Sequence, residues 1–127
     1  KGVEHDSEWL DLVKRALPPE AETHVELELS NYRFKKEDGP FEKSDYLFSL
    51  NRPYDGILID GMDVTGNERT CCFYHAEKFV KEEGFIVVDD FWRYEALLKK
   101  HSAKRVQILE SVGPCRFGVT STAIFHY

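Results

Sequence analysis

Four acidic side chains sit where this sequence could do chemistry. Asp60 follows the apolar run "GILI", Asp89 and Asp90 follow "FIVV", and Glu4 follows Val3 in "VEHD". Carboxylates gathered at strand ends repel one another unless something positive sits among them. A hard divalent cation with oxygen ligands would meet that need. Each acid also has a plain structural reading. Asp90 can cap a helix over 92–100, and Asp63 in "DGMDVTG" can be an ordinary turn residue. Recurrence at three strand ends favours a site over three separate turns.

The elements that would position them follow from periodicity. Asp6 or Ser7 can cap a helix whose apolar face is Trp9, Leu10, Val13, Ala16 and Leu17, ended by Pro18-Pro19. "HVELEL" alternates apolar and acidic residues, as a half-exposed edge strand does. Residues 30–41 have turn chemistry around Asp38-Gly39-Pro40, and "EKSDYLFSL" reads as a short helix. "GILI" and "FIVV" are continuous apolar runs, the pattern of parallel strands covered on both faces.

Between those two strands, Thr65 and Glu68 form a capping-box pattern. Cys72, Ala76, Phe79 and Val80 make the inner stripe of the helix that follows, and Gly84 closes it. A further helix is expected through "WRYEALLKKH". "RVQILES" and "TSTAIFHY" are too close for a crossover helix and should pair antiparallel. The fold class is α/β with a mostly parallel sheet, in one domain over residues 1–127.

In open parallel sheets ligands bind outside the carboxyl ends of the strands, where these acids fall. Other chemistries find less support. Gly56, Gly61 and Gly66 match neither a dinucleotide fingerprint nor a P-loop, since Met62 stands where the P-loop lysine would be. The five histidines have no serine in a nucleophile-elbow context. Three cysteines, Cys71, Cys72 and Cys115, make neither a disulfide framework nor a zinc pattern, which suits a reducing, cytoplasmic interior. A net charge of −6 argues against a nucleic-acid surface, and Lys99, Lys100, Lys104 and Arg105 read as a solvated helix end. No apolar run is long enough to span a bilayer, and no signal peptide is visible. The first residue is Lys1, from which a processed, trimmed or incomplete chain is expected.

"VEHDSEW", "YDGILIDG" and "GFIVVDDFWRY" together resemble the middle and C-terminal parts of class I S-adenosylmethionine-dependent methyltransferases. The resemblance implies a Rossmann-like sheet whose last strand, "TSTAIF", runs antiparallel to its neighbours. In that family the second strand ends in an acid that holds the ribose hydroxyls, a place that Glu4 matches. Asp60 and Gly61 would line the cofactor-side pocket. The family's first strand and its glycine-rich turn have no counterpart before "VEHD", so a chain of this extent is expected to bind the cofactor weakly or not at all. A neighbouring copy covering the exposed sheet, as a homo-oligomer, is one way to close that gap.

The chain is also similar to the metal-dependent O-methyltransferases of the catechol and caffeoyl-CoA type. That similarity implies a magnesium ion held by Asp60, Asp89 and Asp90, with Asp90 where the family has Asn. Asp63 stands where those enzymes often carry Lys. The expected function is O-methylation of a small molecule or sugar, with Asp60 and Asp90 as the catalytic residues. The contrasting expectation is a non-catalytic module of the same fold that serves association.

Overall fold

The computed structural model describes residues 1–113 and 118–127, so the Gly113-Pro114 turn lies partly, and Cys115 wholly, outside the described residues. The chain divides into two units, Lys1–Ser49 and Leu50–Tyr127.

In the first unit, β1 (Gly2–Glu4) pairs parallel with β2 (Leu27–Leu29), with Val3 opposite Glu28. Helix α1 (Ser7–Ala16) connects them, followed by a single turn, α2 (Pro19–Glu22). Asp6 is the N-cap, and its carboxylate accepts from the Glu8 and Trp9 amides at 2.8 and 3.1 Å. Of the expected apolar face only Leu10 is buried, while Trp9 lies 56% exposed. Pro18 sits just beyond the last turn, and α1 stops at Leu17, as expected of a residue that precedes proline. "EKSDYLFSL" forms two 3-10 turns, Phe41–Lys43 and Leu47–Ser49, instead of one helix. Around them Tyr32, Phe34, Phe41 and Tyr46 form a ring cluster with centroids 5.0–5.9 Å apart.

The second unit is a four-stranded sheet in the order β3-β4-β6-β5, made of β3 (Tyr54–Ile59), β4 (Val80–Val88), β5 (Arg105–Val112) and β6 (Val119–His126). Strands β3 and β4 are parallel, with Ile57 opposite Ile86 and Ile59 opposite Val88. Strand β6 runs antiparallel to both of its neighbours and is inserted between β4 and β5. Hence β3, β4 and β5 share one direction and β6 alone opposes it, which agrees with the expected antiparallel last strand.

One face of this sheet is covered. Ile57, Ile59, Ile86, Val88, Ala123 and Phe125 pack with Phe73 and Ala76 of helix α3 (Glu68–Ala76) and with Phe91, Tyr94 and Leu97. Phe73 and Phe125, both fully buried, meet with their rings tilted by 59° and centroids 4.6 Å apart. The other face is not covered as the unbroken apolar runs led one to expect. Leu58 is 66% exposed and Phe85 43% exposed.

Two expected helices differ. Helix α3 ends at Ala76, because residues 80–83 join β4, and Gly84 lies inside that strand instead of closing a helix. Its place there is dictated by crowding: a Cβ on Gly84 would sit 2.8 Å from the Asp55 carbonyl and 2.9 Å from that of Lys81. After Asp90 the chain forms 3-10 turns, Phe91–Arg93 and Glu95–Lys99, and no α-helix. Phe91, Tyr94 and Leu97 are all buried, and their spacing of three is that of a 3-10 turn, in which every third side chain eclipses. No helix among the described residues is long and apolar enough to cross a membrane.

Candidate functional site

The parallel pairing of β3 and β4 delivers Asp60-Gly61 and Asp89-Asp90 side by side at the carboxyl ends of the two strands, where the Asp89 amide donates to the Ile59 carbonyl at 3.1 Å. These are the residues that the sequence placed at a site, and the second unit brings them together. Glu4 belongs to the first unit. There its Oε1 accepts from the His5 and Asp6 amides at 2.7 and 3.0 Å and faces His5 Nδ1 at 2.8 Å. Those contacts all fall on one oxygen, and Oε2 carries none of them.

The positive charge among the strand-end acids comes from the chain itself. Arg69, in the first turn of α3, is buried with only 8% exposure. Its Nε donates to the Gly61 carbonyl at 2.7 Å and its Nη1 to the Asp89 carbonyl at 2.9 Å. Nη2 donates to the Asp60 carbonyl at 3.3 Å and to Asp60 Oδ1 at 3.2 Å. The guanidinium thus binds both strand ends, and its carbon lies 5.8 Å from the centre of the Tyr94 ring. Sequence reading missed Arg69, although the inner stripe of Cys72 and Ala76 extends back one turn to it.

Each acid has a distinct environment. Burial pushes the Asp60 carboxyl above its usual range; Arg69 opposes this, and the nearby Asp89 and Asp90 reinforce it. Thr122 on β6 donates to Asp89 Oδ1 at 2.9 Å, and Thr120 donates to Asp90 Oδ1 at 3.4 Å. These hydroxyls, two residues apart on one strand, share the same face of the sheet. Asp90 has φ 50 and ψ 37, a left-handed conformation, and its side chain makes no capping hydrogen bond to the turn that follows, so the plain structural alternative for it is not realised.

Asp63 organises the loop before α3. Its Oδ1 accepts from the Gly66 and Glu68 amides at 2.8 and 3.3 Å, and its Oδ2 accepts from the Tyr94 hydroxyl. Burial raises the Asp63 carboxyl, but the contacts with Glu68, Tyr94 and those amides outweigh it, leaving a net shift below the usual range. Burial, reinforced by Asp63, pushes the Tyr94 phenol up to about 12. Only half of the expected capping box forms: Glu68 reaches back to the Thr65 amide and hydroxyl, each at 3.0 Å.

A magnesium ion does not fit these acids as they stand. Among the described residues no group of three or more His, Cys, Asp or Glu side chains is disposed to hold a metal. Asp60 is turned to a guanidinium and Asp89 to a threonine hydroxyl. Arg69 therefore takes up the Asp60 carboxylate and the Asp89 carbonyl, while the Asp89 and Asp90 carboxylates accept from the β6 threonines. The 57% exposure of the Asp60 side chain leaves the end of β3 accessible to a ligand.

No family model and no curated protein matches this sequence. Among solved structures, the chain is similar to a protein of Clostridium thermocellum provisionally described as an rRNA methylase. The two share 11% identity at a TM-score of 0.59, over 98% of this chain and 70% of that one. At that identity the likeness is one of fold. With the strand order β3-β4-β6-β5, it supports a Rossmann-like, mixed α/β architecture.

Proposed function

We propose that the protein is an S-adenosylmethionine-dependent methyltransferase acting on the oxygen of a small molecule or sugar. The observation that carries this reading is the convergence of Asp60-Gly61 and Asp89-Asp90 at the carboxyl ends of two parallel strands, in a fold similar to a methylase. The net charge of −6 favours a small acceptor over RNA, whatever the acceptor of the C. thermocellum protein.

When bound, S-adenosylmethionine supplies an electrophilic methyl, whose carbon–sulfur bond breaks as the acceptor oxygen bonds to it. Within the first unit Glu4 would hold the ribose hydroxyls; within the second, Asp60 and Gly61 would border the cofactor. Asp60 receives the acceptor's proton: Arg69 holds its Oδ1, and its raised affinity for a proton suits a general base. Asp90 orients the acceptor beside it. The acids are already engaged by Arg69 and the β6 threonines, so the acceptor's proton goes to Asp60 without a metal.

The test is transfer of labelled methyl from S-adenosylmethionine to a panel of catechols, hydroxy acids and sugars by the full-length protein. Label appearing in an acceptor, and lost in Asp60→Asn, supports the reading; no transfer to any acceptor counts against it.

A second reading, a non-catalytic module that serves association, is favoured by the open apolar face at Leu58 and Phe85. Sedimentation would separate the two readings, since association through that face would be lost in Leu58→Asp.

A further inference from the structure

We propose that Arg69 is a positioning residue: a cation carried by α3 that ties the ends of β3 and β4 together and aims Asp60. This rests on the reading of the strand ends as a methyl-donor site and goes beyond it, because Arg69 touches neither donor nor acceptor in that reading.

The geometry is specific to a guanidinium. Nε, Nη1 and Nη2 each serve a different residue: Gly61, Asp89 and Asp60. Three of the four accepting atoms are backbone carbonyls, left open where β3 and β4 stop. A lysine would keep the charge but has no planar fork with which to reach both strand ends at once. The fourth acceptor is the Asp60 carboxylate, so the contacts that fix the strand ends also fix that side chain. The Tyr94 ring lies against the guanidinium and is itself tied by its hydroxyl to Asp63. The loop that leaves β3 and the turn that leaves β4 are therefore locked through one buried cation.

The experiment compares wild type, Arg69→Lys, Asp60→Asn and the double variant in the full-length protein. S-adenosylhomocysteine affinity is read by calorimetry, and backbone amide signals by NMR. Arg69→Lys is chosen because removing the charge outright can unfold the chain. We expect Arg69→Lys to weaken binding about tenfold, the loss of one or two hydrogen bonds to charged groups. The double variant should then lose less than the two single losses combined, since the changes share the contact with the Asp60 carboxylate. The amides of Gly61, Met62 and Asp90, which follow the three accepting carbonyls, should shift while those of β5 stay in place.

A purely charge-balancing role predicts that Arg69→Lys binds like wild type. That result, or losses that add in full, overturns the proposal. If wild type binds no S-adenosylhomocysteine, the methyl-donor reading fails, and the amide signals decide alone. Shifts at Gly61, Met62 and Asp90 then support the lock, and unmoved signals overturn it.

Discussion

The Thr122 hydroxyl donates to Asp89 Oδ1 at 2.9 Å, joining the antiparallel strand β6 to the acid at the end of β4. A strand inserted in the opposite direction thereby serves the carboxyl end of its neighbour. We predict that Thr122→Val costs about 1 kcal/mol of stability through the lost hydrogen bond. Urea unfolding would measure it, and an unchanged midpoint would mean that water replaces the hydroxyl at no cost.

Asp90 occupies the left-handed region at φ 50, where a side chain is strained and glycine is not. Asp90→Gly should therefore be close to neutral in stability, whereas Asp90→Ala should cost about 1 kcal/mol more. Paired denaturant curves give the comparison. Equal stability of the two variants would show that the turn relaxes.

The bond between Tyr94 and Asp63 has a signature at each end of the pH scale. The phenol is raised from 10.0 to about 12, so its contribution is fully present below pH 10 and is lost as pH rises through 12. The Asp63 carboxyl is lowered, so its contribution is present above the usual carboxylate range and is lost as pH falls through the depressed value. Tyr94→Phe should destabilise the protein near neutral pH, with the difference from wild type fading between pH 10 and about 12. A difference constant across that range would mean the phenol does not titrate against Asp63.

Gly84 has no room for a methyl group beside the Asp55 and Lys81 carbonyls. Gly84→Ala should cost about 1–3 kcal/mol, as overpacking does in a closed site. Thermal unfolding would check it. A variant as stable as wild type would show that β3 and β4 can move apart there.

Much of the second unit was legible because its strands are written in unbroken apolar residues. "GILI" and "FIVV" pair in parallel, Ile57 with Ile86 and Ile59 with Val88, and deliver their acids side by side. An unbroken run cannot say whether both faces are covered, and Leu58 and Phe85 are not. The 3-10 turns were encoded in the spacing of Phe91, Tyr94 and Leu97, but helix formers such as Glu95, Ala96 and Leu98 disguise a period of three as an α-helix. Arg69 was hidden for another reason. A charged residue on a helix is read as solvent-facing, and only the pairing of β3 with β4 places carbonyls where they hold it buried. The clustered acids signalled that a cation was needed, and the chain supplies one from α3.

Calorimetric titration of S-adenosylmethionine into the full-length protein and into its Glu4→Ala variant asks outright whether the protein binds a methyl donor and whether Glu4 holds it. Saturable one-to-one binding is expected, weakened about tenfold or more in the variant as a charge-assisted hydrogen bond to the ribose is removed. Folded protein that gives no binding heat at millimolar ligand, or binding indifferent to Glu4→Ala, would contradict it.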